Sequence, residues 1–406
     1  MDTGDTTFIL ISAALVMFMT PGLALFYAGM VRSKNALATI MQSFIVIGVV
    51  TLEWILWGYS MAFGPDIFGI IGGLEWFGLR GVGPGPHPVY APTIPHQVFM
   101  IYQCMFAVIT PALITGAFAE RMRFGPFLLF TVLWTTFVYN PLVHWIWSDG
   151  GWLARLGALD FAGGVAVHLA SGMAALMAAI VLGKRKGYGT TNLQPHNLTM
   201  TLTGAGILWF GWFGFNAGSA LSAGSLAGSA FVATHVAGAT GALSWVAFEW
   251  KFTGKSTTLG AASGAIAGLA TVTPAAGFVG PLSAALIGLG AGIGCYYGIM
   301  LKNRLGYDDS LDVVGIHGVG GILGLLAAGL LTNTAVNSGA AKGLFFGNPA
   351  QLGIQCIAIG VTIVYAGIVS YLLLKLVDRL FGLRVTEQDE ISGLDLSQHN
   401  ETAYTV

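Results

Sequence analysis

Long apolar stretches alternate with short polar connections over almost the whole chain. A membrane-spanning helix needs about 20 apolar residues, with a range of roughly 17 to 25. Eleven stretches approach that length, and the eighth is the shortest, ending at Thr273-Pro274. The stretches cover residues 8–30, 39–63, 96–119, 125–146, 161–182, 198–217, 227–250, 257–275, 279–301, 311–332 and 351–377. The pattern therefore predicts an all-α membrane protein with 11 transmembrane helices.

The composition agrees with a membrane protein and argues against other classes. Hydrophobic residues make up 55% of the 406 residues, charged residues make up 9%, and the mean hydropathy is +0.75. A soluble domain carries about 25% charged residues. The formal net charge of -1 gives no indication of a nucleic-acid partner. The 59 glycines are typical of helices that approach closely within a bilayer.

The basic residues predict the orientation of the helices. Cytoplasmic loops are enriched in Lys and Arg. All but three of the 17 basic residues fall in one alternating set of loops, and the other set holds only Arg80, Arg155 and Lys342. We therefore expect a multi-pass protein of the cytoplasmic (inner) membrane, with the N-terminus outside and the C-terminus inside. The first segment follows two aspartates and no basic residue, so it is expected to remain as a helix and not to be a cleaved signal peptide.

The distribution of polar residues also predicts the domain organisation. Residues 1–380 are expected to form the transmembrane domain, and residues 381–406 a cytoplasmic C-terminal tail. A charged tail of this length is either solvated or docked onto the cytoplasmic loops. The Gly- and Pro-rich connection over residues 64–95 is predicted to be a structured vestibule or packing loop.

A short sequence match indicates internal symmetry. Leu159-Asp160-Phe161-Ala162-Gly163 begins the fifth segment, and Leu311-Asp312-Val313-Val314-Gly315 begins the tenth. Because each half has five helices, the second copy must be inverted relative to the first, which is a recurrent arrangement in transporters. We predict inverted repeats over about residues 8–182 and 198–332, with an extra helix over about residues 351–377.

One histidine follows each copy of this match, namely His168 and His317. An ionisable group inside a membrane helix often marks a pathway, but helix packing is an equal alternative for a lone histidine. At 1.5 Å per residue, His168 lies about 12 Å from the outer end of its segment and His317 about 7.5 Å from the inner end. About 10 Å of a roughly 30 Å core separates them, and errors of about two to four residues in each predicted end are large enough to close that gap, so contact is permitted but not required. A neutral pair could pass a proton, whereas two histidines are too few ligands for a metal site.

The remaining polar residues of the apolar segments receive structural interpretations. Asp160 and Asp312 are candidate N-caps of the fifth and tenth segments, and capping is the main interpretation for Asp312. Glu53 is an intramembrane acid without an assigned mechanism. His144 and His235 are interpreted as packing residues, and the three cysteines as small core residues without metal-ligand spacing: Cys104, Cys295 and Cys356.

Four local motifs are more specific than the general pattern. They are Pro21-Gly22 with Phe26-Tyr27-Ala28-Gly29-Met30, the stretch from Leu159 to Gly164 with His168, the stretch from Gly211 to Ser219, and the stretch from Asp312 to Gly318. These motifs resemble signatures of the ammonium transporter (Amt) family. The resemblance extends into the tail, at Gly393-Leu394-Asp395 and Tyr404.

The resemblance implies a role for each matching residue. Trp147, Ser219 and Phe106 would form the external recruitment site for ammonium, shaped by the buried acid Asp160. Phe106 and Phe215 would form the stacked gate below that site. The pore pair would be His168 and His317.

The resemblance also has implications beyond these residues. Ser148 and Asp149 depart from the family pattern, because they stand where glycines are expected after Trp147. Family members are homotrimers, and a cytoplasmic PII-type regulatory protein is a possible partner. No cofactor is expected.

The expected function is transport and not catalysis. Ammonium would bind outside and lose its proton near Asp160 and the gate, and ammonia would cross the apolar pore. Potassium would be rejected because it has no proton to lose. Two alternatives stay open, an ammonium sensor on the same scaffold and a neutral gas channel of the Rhesus type. The short segment after Arg384 argues against a fused signalling domain, and the set of Trp147, Ser219 and Asp160 favours recruitment of a cation.

Overall fold

Helices that run back and forth make up most of the chain. The computed structural model describes residues 1–404. The first helix is capped by Asp2, whose carboxylate accepts a hydrogen bond from the backbone amide of Asp5 at 2.8 Å. The α-helices are α1 (Thr3–Met30), α2 (Ala36–Glu53), α3 (Tyr59–Phe63), α4 (His96–Phe118), α5 (Phe124–Trp134), α6 (Asn140–Trp147), α7 (Trp152–Leu156), α8 (Ala170–Leu182), α9 (Leu198–Trp212), α10 (Ser225–Thr253), α11 (Thr258–Val272), α12 (Pro281–Leu305), α13 (Val319–Leu331), α14 (Pro349–Phe381), α15 (Glu387–Ser392) and α16 (Leu394–His399).

Turns of π-helix adjoin several of these helices. A π-helical turn leaves the regular hydrogen-bond ladder locally and is frequent at functional sites. Two of the turns carry the histidines His168 and His317. In the described part of the chain the π-helical turns are Trp54–Gly58, Thr135–Tyr139, Gly164–Leu169, Phe213–Ala217 and Val314–Gly318.

The predicted membrane segments correspond closely to the observed helices. By length and composition, ten helical stretches within residues 1–404 are long and apolar enough to cross a membrane. The eighth predicted segment is α11, which has only 15 residues and continues into the short 3₁₀ helix Thr273–Ala275. It lies against α10 and α12. Its glycines permit this close packing, since a Cβ on Gly264 would lie 2.7 Å from the backbone oxygen of Gly241. The total of 11 crossings stays a prediction.

The ends of the helices form two distinct faces. On the first, which we call the hairpin face, residues 66–95 form two small antiparallel pairs: β1 (Asp66–Ile67) with β2 (Ile71–Gly72), and β3 (Pro86–His87) with β4 (Ala91–Pro95). The N-terminus lies on this face, because the amide of Asp2 donates to the backbone oxygen of Thr93 at 2.6 Å. The connection therefore has an ordered structure that packs over the helix ends.

The opposite face, which we call the tail face, holds the C-terminal segment after α14. The segment docks onto the chain's own loops. Asp395 is buried and accepts hydrogen bonds from the backbone amides of Leu37 and Ala38 at 3.1 and 2.7 Å. Glu390 is also buried, and Arg384 donates to its carboxylate at 2.8 Å. The docked alternative for the tail is therefore the one observed.

A buried ion-pair network lies beneath the tail. Arg185 donates to Glu120 at 3.2 Å and, through two nitrogens, to Asp308 at 2.9 Å. Arg32 donates to Glu120 at 3.1 Å. Burial acts to raise the pKa of Glu120, but Arg185 and Arg32 outweigh it and hold the pKa below its usual value. The network connects four separate loops of the tail face.

Some of the polar residues behave as expected and others do not. His144 is a packing residue, because its ring bonds to Ala62 O and Asp66, each at 2.9 Å. His235 instead is exposed on α10, and its ring lies 5.6 Å from that of Trp209. Cys356 is exposed, so the prediction of a core position is wrong there; the other two cysteines are buried. Glu53 is buried and accepts a hydrogen bond from Asn140 at 2.8 Å, which ties α2 to α6.

Candidate functional site

A vestibule on the hairpin face brings together three residues that the sequence singled out. Trp147, Phe106 and Ser219 line one cavity of about 300 Å³. The rings of Phe106 and Trp147 are 5.9 Å apart and nearly perpendicular, at 87°. The Trp147 indole N–H donates to the backbone oxygen of Asp160 at 2.9 Å, which fixes the ring. The cavity thus combines aromatic faces with one hydroxyl group.

Two phenylalanine rings separate the vestibule from a second, inner cavity. Phe106 lines the vestibule and Phe215 lines the inner cavity. Their ring centroids are 4.3 Å apart and both side chains are 1% exposed. Passage between the two cavities therefore requires at least one ring to move.

A buried tyrosine that sequence reasoning missed holds the second ring in place. The Tyr102 hydroxyl lies 2.9 Å from the backbone oxygens of both Gly214 and Phe215. It also lies 3.3 Å from the hydroxyl of Ser219. Tyr102 is one helical turn before Phe106 on α4, and this spacing was the available signal. Tyr102 therefore contacts both Phe215 of the predicted gate and Ser219 of the predicted recruitment site.

The inner cavity is narrow and almost entirely apolar, and its polar groups are chiefly the two histidines. Its volume is about 20 Å³, roughly the space that one water-sized molecule needs. His168 and His317 both line it. Phe26 and Tyr27, from the motif in the first segment, line it too. The wall supplies few hydrogen-bond partners, so a charged species inside it would be poorly solvated.

The two histidines touch within this cavity. Their Nδ1 atoms are 3.2 Å apart, and the rings are stacked with centroids at 5.2 Å. His168 also stacks on Phe215, at 6.1 Å. The rings are 1% and 4% exposed. The order along the passage is therefore vestibule, phenylalanine pair, His168 and His317.

The contact between the two Nδ1 atoms restricts the protonation of the pair. One Nδ1 must donate and the other accept, so a single proton lies between the rings. In the neutral pair, the donating ring has a bare Nε2 that can accept a proton, and the accepting ring carries its own proton on Nε2. The pair therefore presents an acceptor at one end and a donor at the other, which is the arrangement needed to relay a proton.

An aspartate caps each of the two π-helical turns that carry a histidine, and it lies eight residues before that histidine in the sequence. The Asp160 carboxylate accepts hydrogen bonds from the amides of Gly163, Gly164 and Val165 at 2.6 to 2.8 Å. Burial raises the pKa of Asp160, and these amides act against the rise. In the tenth segment the corresponding acid is Asp309, which accepts from the amide of Val314 at 2.8 Å.

The capping interpretation of Asp312 is therefore wrong. Asp312 has a positive φ of 63° and its carboxylate pairs with Lys302. Asp312 lies three residues after Asp309, the residue that occupies the capping position. The sequence match between the fifth and tenth segments aligned Asp160 with Asp312 and therefore gave no sign of this offset. Measured from Asp309, His317 lies three residues deeper, about 4.5 Å, which reduces the gap between the histidines that the sequence left open. Each histidine thus lies eight residues after its capping aspartate, and the inverted repeat stays a prediction.

Two glycines allow the histidine-bearing segments to approach each other. A Cβ on Gly172 would lie 2.3 Å from Gly318 Cα and 2.4 Å from Gly318 N, closer than real Cβ atoms come to backbone. Gly172 is one turn after His168, and Gly318 directly follows His317. The small residues at this crossing therefore determine the distance between the rings. Within residues 1–404, no group of three or more His, Cys, Asp or Glu side chains is placed to hold a metal ion.

Comparison with known proteins places this geometry in context. The model of the Ammonium Transporter Family matches residues 7–404. An ammonium transporter of Bacillus subtilis is 53% identical over 405 residues, covering 100% of this chain and 99% of the relative. Ammonium transporter Amt1 of Archaeoglobus fulgidus is 50% identical over 405 residues and is covered completely, as is this chain. The crystal structure of Candida albicans Mep2 superposes with a TM-score of 0.91 at 38% identity, over 100% of this chain and 91% of that one.

Proposed function

This chain belongs to the Ammonium Transporter Family, and we propose that it recruits the ammonium cation, removes a proton and passes ammonia between the two histidines. Ammonium transport across a membrane is its function, and the relatives are transporters and not enzymes. The observation that carries the finer proposal is the contact of His168 with His317, 3.2 Å between Nδ1 atoms, in an apolar cavity behind an aromatic vestibule.

Recruitment takes place in the vestibule. Ammonium is a small cation with four N–H donors. The faces of Trp147 and Phe106 attract such a cation by about 0.5 to 2 kcal/mol each, more when water is excluded. The Ser219 hydroxyl accepts one of its hydrogen bonds. Asp160 contributes by positioning, since its backbone oxygen holds Trp147 and its carboxylate is occupied by three amides.

Deprotonation follows from the chemistry of the inner cavity. A bare ammonium ion there would meet a desolvation penalty of several kcal/mol, whereas neutral ammonia would not. The ion transfers its proton either to water of the vestibule or to the bare Nε2 of the histidine pair, and the phenylalanine pair keeps bulk water out of the inner cavity. Ammonia then accepts and donates hydrogen bonds along the histidine pair, and the proton either returns outside or follows through the pair. Potassium has no proton to lose and is rejected at the gate.

The setting in the cell completes the proposal. We place the protein in the cytoplasmic (inner) membrane with the hairpin face outside and the tail face inside. The clustering of Arg32, Arg121, Arg185 and Arg384 on the tail face supports this orientation. The homotrimer and a PII-type partner at the tail face rest on the family resemblance. The inverted repeat accounts for the equal spacing from each aspartate to its histidine.

Currents recorded from proteoliposomes on a solid-supported membrane test this function. The wild-type protein is expected to give a saturable current that depends on ammonium and not on potassium. His168→Asp and His317→Glu place a charge in the cavity and are expected to change the ammonium current at least tenfold or to abolish the selectivity. His235→Gln is the matched control, since this histidine lies on the exposed side of α10.

Each possible result decides between the proposal and an alternative. If both pore variants keep the wild-type current and selectivity, the assignment of the histidines is wrong. Ammonium-dependent pH change without current would indicate a neutral gas channel. Binding without flux would indicate a sensor.

A further inference from the structure

The vestibule contains one charged side chain that the proposed mechanism does not use. Among the described residues that line the cavity, Asp149 is the only one with a charge. Its side chain is exposed, and no basic group within residues 1–404 forms an ion pair with it. The neighbouring acid Asp66 differs, because His144 and Arg155 bind its carboxylate at 2.9 and 3.2 Å. Asp149 therefore gives the vestibule a net negative charge.

The local backbone makes position 149 the one place in its turn for such a side chain. Ser148 is buried, and its hydroxyl donates to the backbone oxygen of His144 at 2.7 Å. A Cβ on Gly150 would lie 2.2 Å from the Cβ of Asp66. A Cβ on Gly151 would lie 2.0 Å from the same His144 oxygen. Of residues 148–151, only Asp149 therefore has room for a charged side chain at the cavity, and its charged group is a carboxylate.

Contacts on both sides hold this turn at the recruitment site. The amide of Asp149 donates to the Tyr90 hydroxyl at 3.3 Å, and Tyr90 also lines the cavity. Two residues earlier, Trp147 is fixed by its bond to Asp160. The carboxylate thus shares one cavity with the aromatic face and hydroxyl of the recruitment site.

A second polar side chain, Gln103, lines the same cavity. The side-chain oxygen of Gln103 is buried and bonds to no group within residues 1–404, although Gln103 lines the vestibule. Gln103 precedes Phe106 by three residues on α4, so the two share a helix face. Gln103 thus adds an amide side chain to a cavity wall that also contains the rings of Phe63 and Phe99.

We propose that Asp149 forms an outer cation subsite of the vestibule, which captures ammonium or a small alkylammonium before it reaches Trp147 and Ser219. This inference rests on the proposed recruitment function. The subsite raises the local concentration of monovalent cations and leaves selection to the gate and histidines below. It therefore affects the KM for ammonium and the dependence of KM on salt, and leaves the maximal rate and the rejection of potassium unchanged.

The test compares KM and maximal current for ammonium chloride, in proteoliposomes on a solid-supported membrane, at low and high salt. A unit charge within roughly 10 Å of a cation in a partly hydrated cavity changes its affinity about threefold to tenfold. Asp149→Asn should raise the KM by that factor at low salt with an unchanged maximal current. The difference should shrink as salt shortens the Debye length to about 8 Å near 0.15 M. Asp149→Glu should restore the wild-type KM.

Glu75→Gln is the matched control, because Glu75 is an exposed acid of the hairpin face outside the cavity lining. An unchanged KM in Asp149→Asn at low salt would overturn the subsite, as would an equal rise in Glu75→Gln. Trp147→Leu separates this inference from the recruitment proposal. If Trp147→Leu raises the KM and Asp149→Asn does not, only the subsite is wrong. If neither raises it, the recruitment site is wrong as well.

Discussion

Gly172→Ala changes no group that touches ammonium, yet it should disrupt the histidine pair. Gly172 lies on α8 against the π-helical turn that carries His317. The added methyl group would lie 2.3 Å from Gly318 Cα and 2.4 Å from Gly318 N. Both neighbours are backbone atoms, so no flexible side chain can move out of the way.

The size of the displacement follows from these contacts. Ordinary contact for a Cβ begins at 3.4 Å, so the two segments must separate locally by about 1 Å. The two Nδ1 atoms are now 3.2 Å apart, and that shift would take them to about 4 Å, beyond hydrogen-bond range. The overpacking itself is expected to reduce the free energy of unfolding by about 1 to 3 kcal/mol. The vestibule lies on the other side of the phenylalanine pair and should keep its geometry.

The expected result is a loss of turnover without a loss of recruitment. In the proteoliposome assay, the maximal ammonium current of Gly172→Ala should fall at least tenfold, while its KM stays within about twofold of wild type. Gly206→Ala is the matched control, since its Cβ would have no neighbour within 4 Å. The role of the paired histidines would be refuted by a Gly172→Ala protein that folds, has its two Nδ1 atoms more than 3.5 Å apart and still carries wild-type current.

Two further predictions concern the tail face. Arg185 and Arg32 hold the pKa of Glu120 below its usual value, so the carboxylate stabilises the fold above its unfolded pKa of about 4.3 and loses that effect as pH falls through the lowered folded value. The unfolding temperature of the purified protein should therefore fall as the pH is lowered from about 5 to 3. Glu120→Gln should have a lower unfolding temperature at pH 7 and a smaller decrease over that pH range. Parallel curves of unfolding temperature against pH for the two proteins would contradict this. Asp395→Ala removes the acceptor for two amides of α2, at a cost of about 0.5 to 2 kcal/mol. Limited trypsin digestion at Arg384 should then be faster than in wild type or in Glu401→Ala, and equal rates would exclude a tethering role for Asp395.

The fold was largely readable from the chain because hydrophobicity is a local property. Each predicted apolar segment corresponds to a helix, and only α11 falls short of the length of a crossing. The candidate residues were readable for a different reason. An isolated histidine in a glycine-rich apolar stretch is unusual, and the family resemblance added Trp147, Phe106, Phe215 and Ser219 to the candidates. The three aromatic residues and Ser219 do lie together, although their roles stay proposals.

Other features were hidden because they depend on hydrogen bonds between distant parts of the chain. Tyr102 resembled any other tyrosine of an apolar helix, and only its bonds to residues 112 and 113 positions away show that it supports the segment of Phe215. Asp312 satisfied the sequence pattern of a cap, but a positive φ and the pairing with Lys302 turn its carboxylate away. Asp309, outside the sequence match, takes that position instead.

The sequence by itself determined that the protein lies in a membrane, where its helices are and which residues are able to do the chemistry. These properties depend on composition and on spacing along the chain. Only the tertiary structure decided that His168 and His317, 149 residues apart, share a hydrogen bond. That contact depends on the crossing of two helices at Gly172 and Gly318, where backbone meets backbone. The distance between two helices is set by the smallest side chains at their crossing. The spacing of residues along one helix does not show which other helix it will cross.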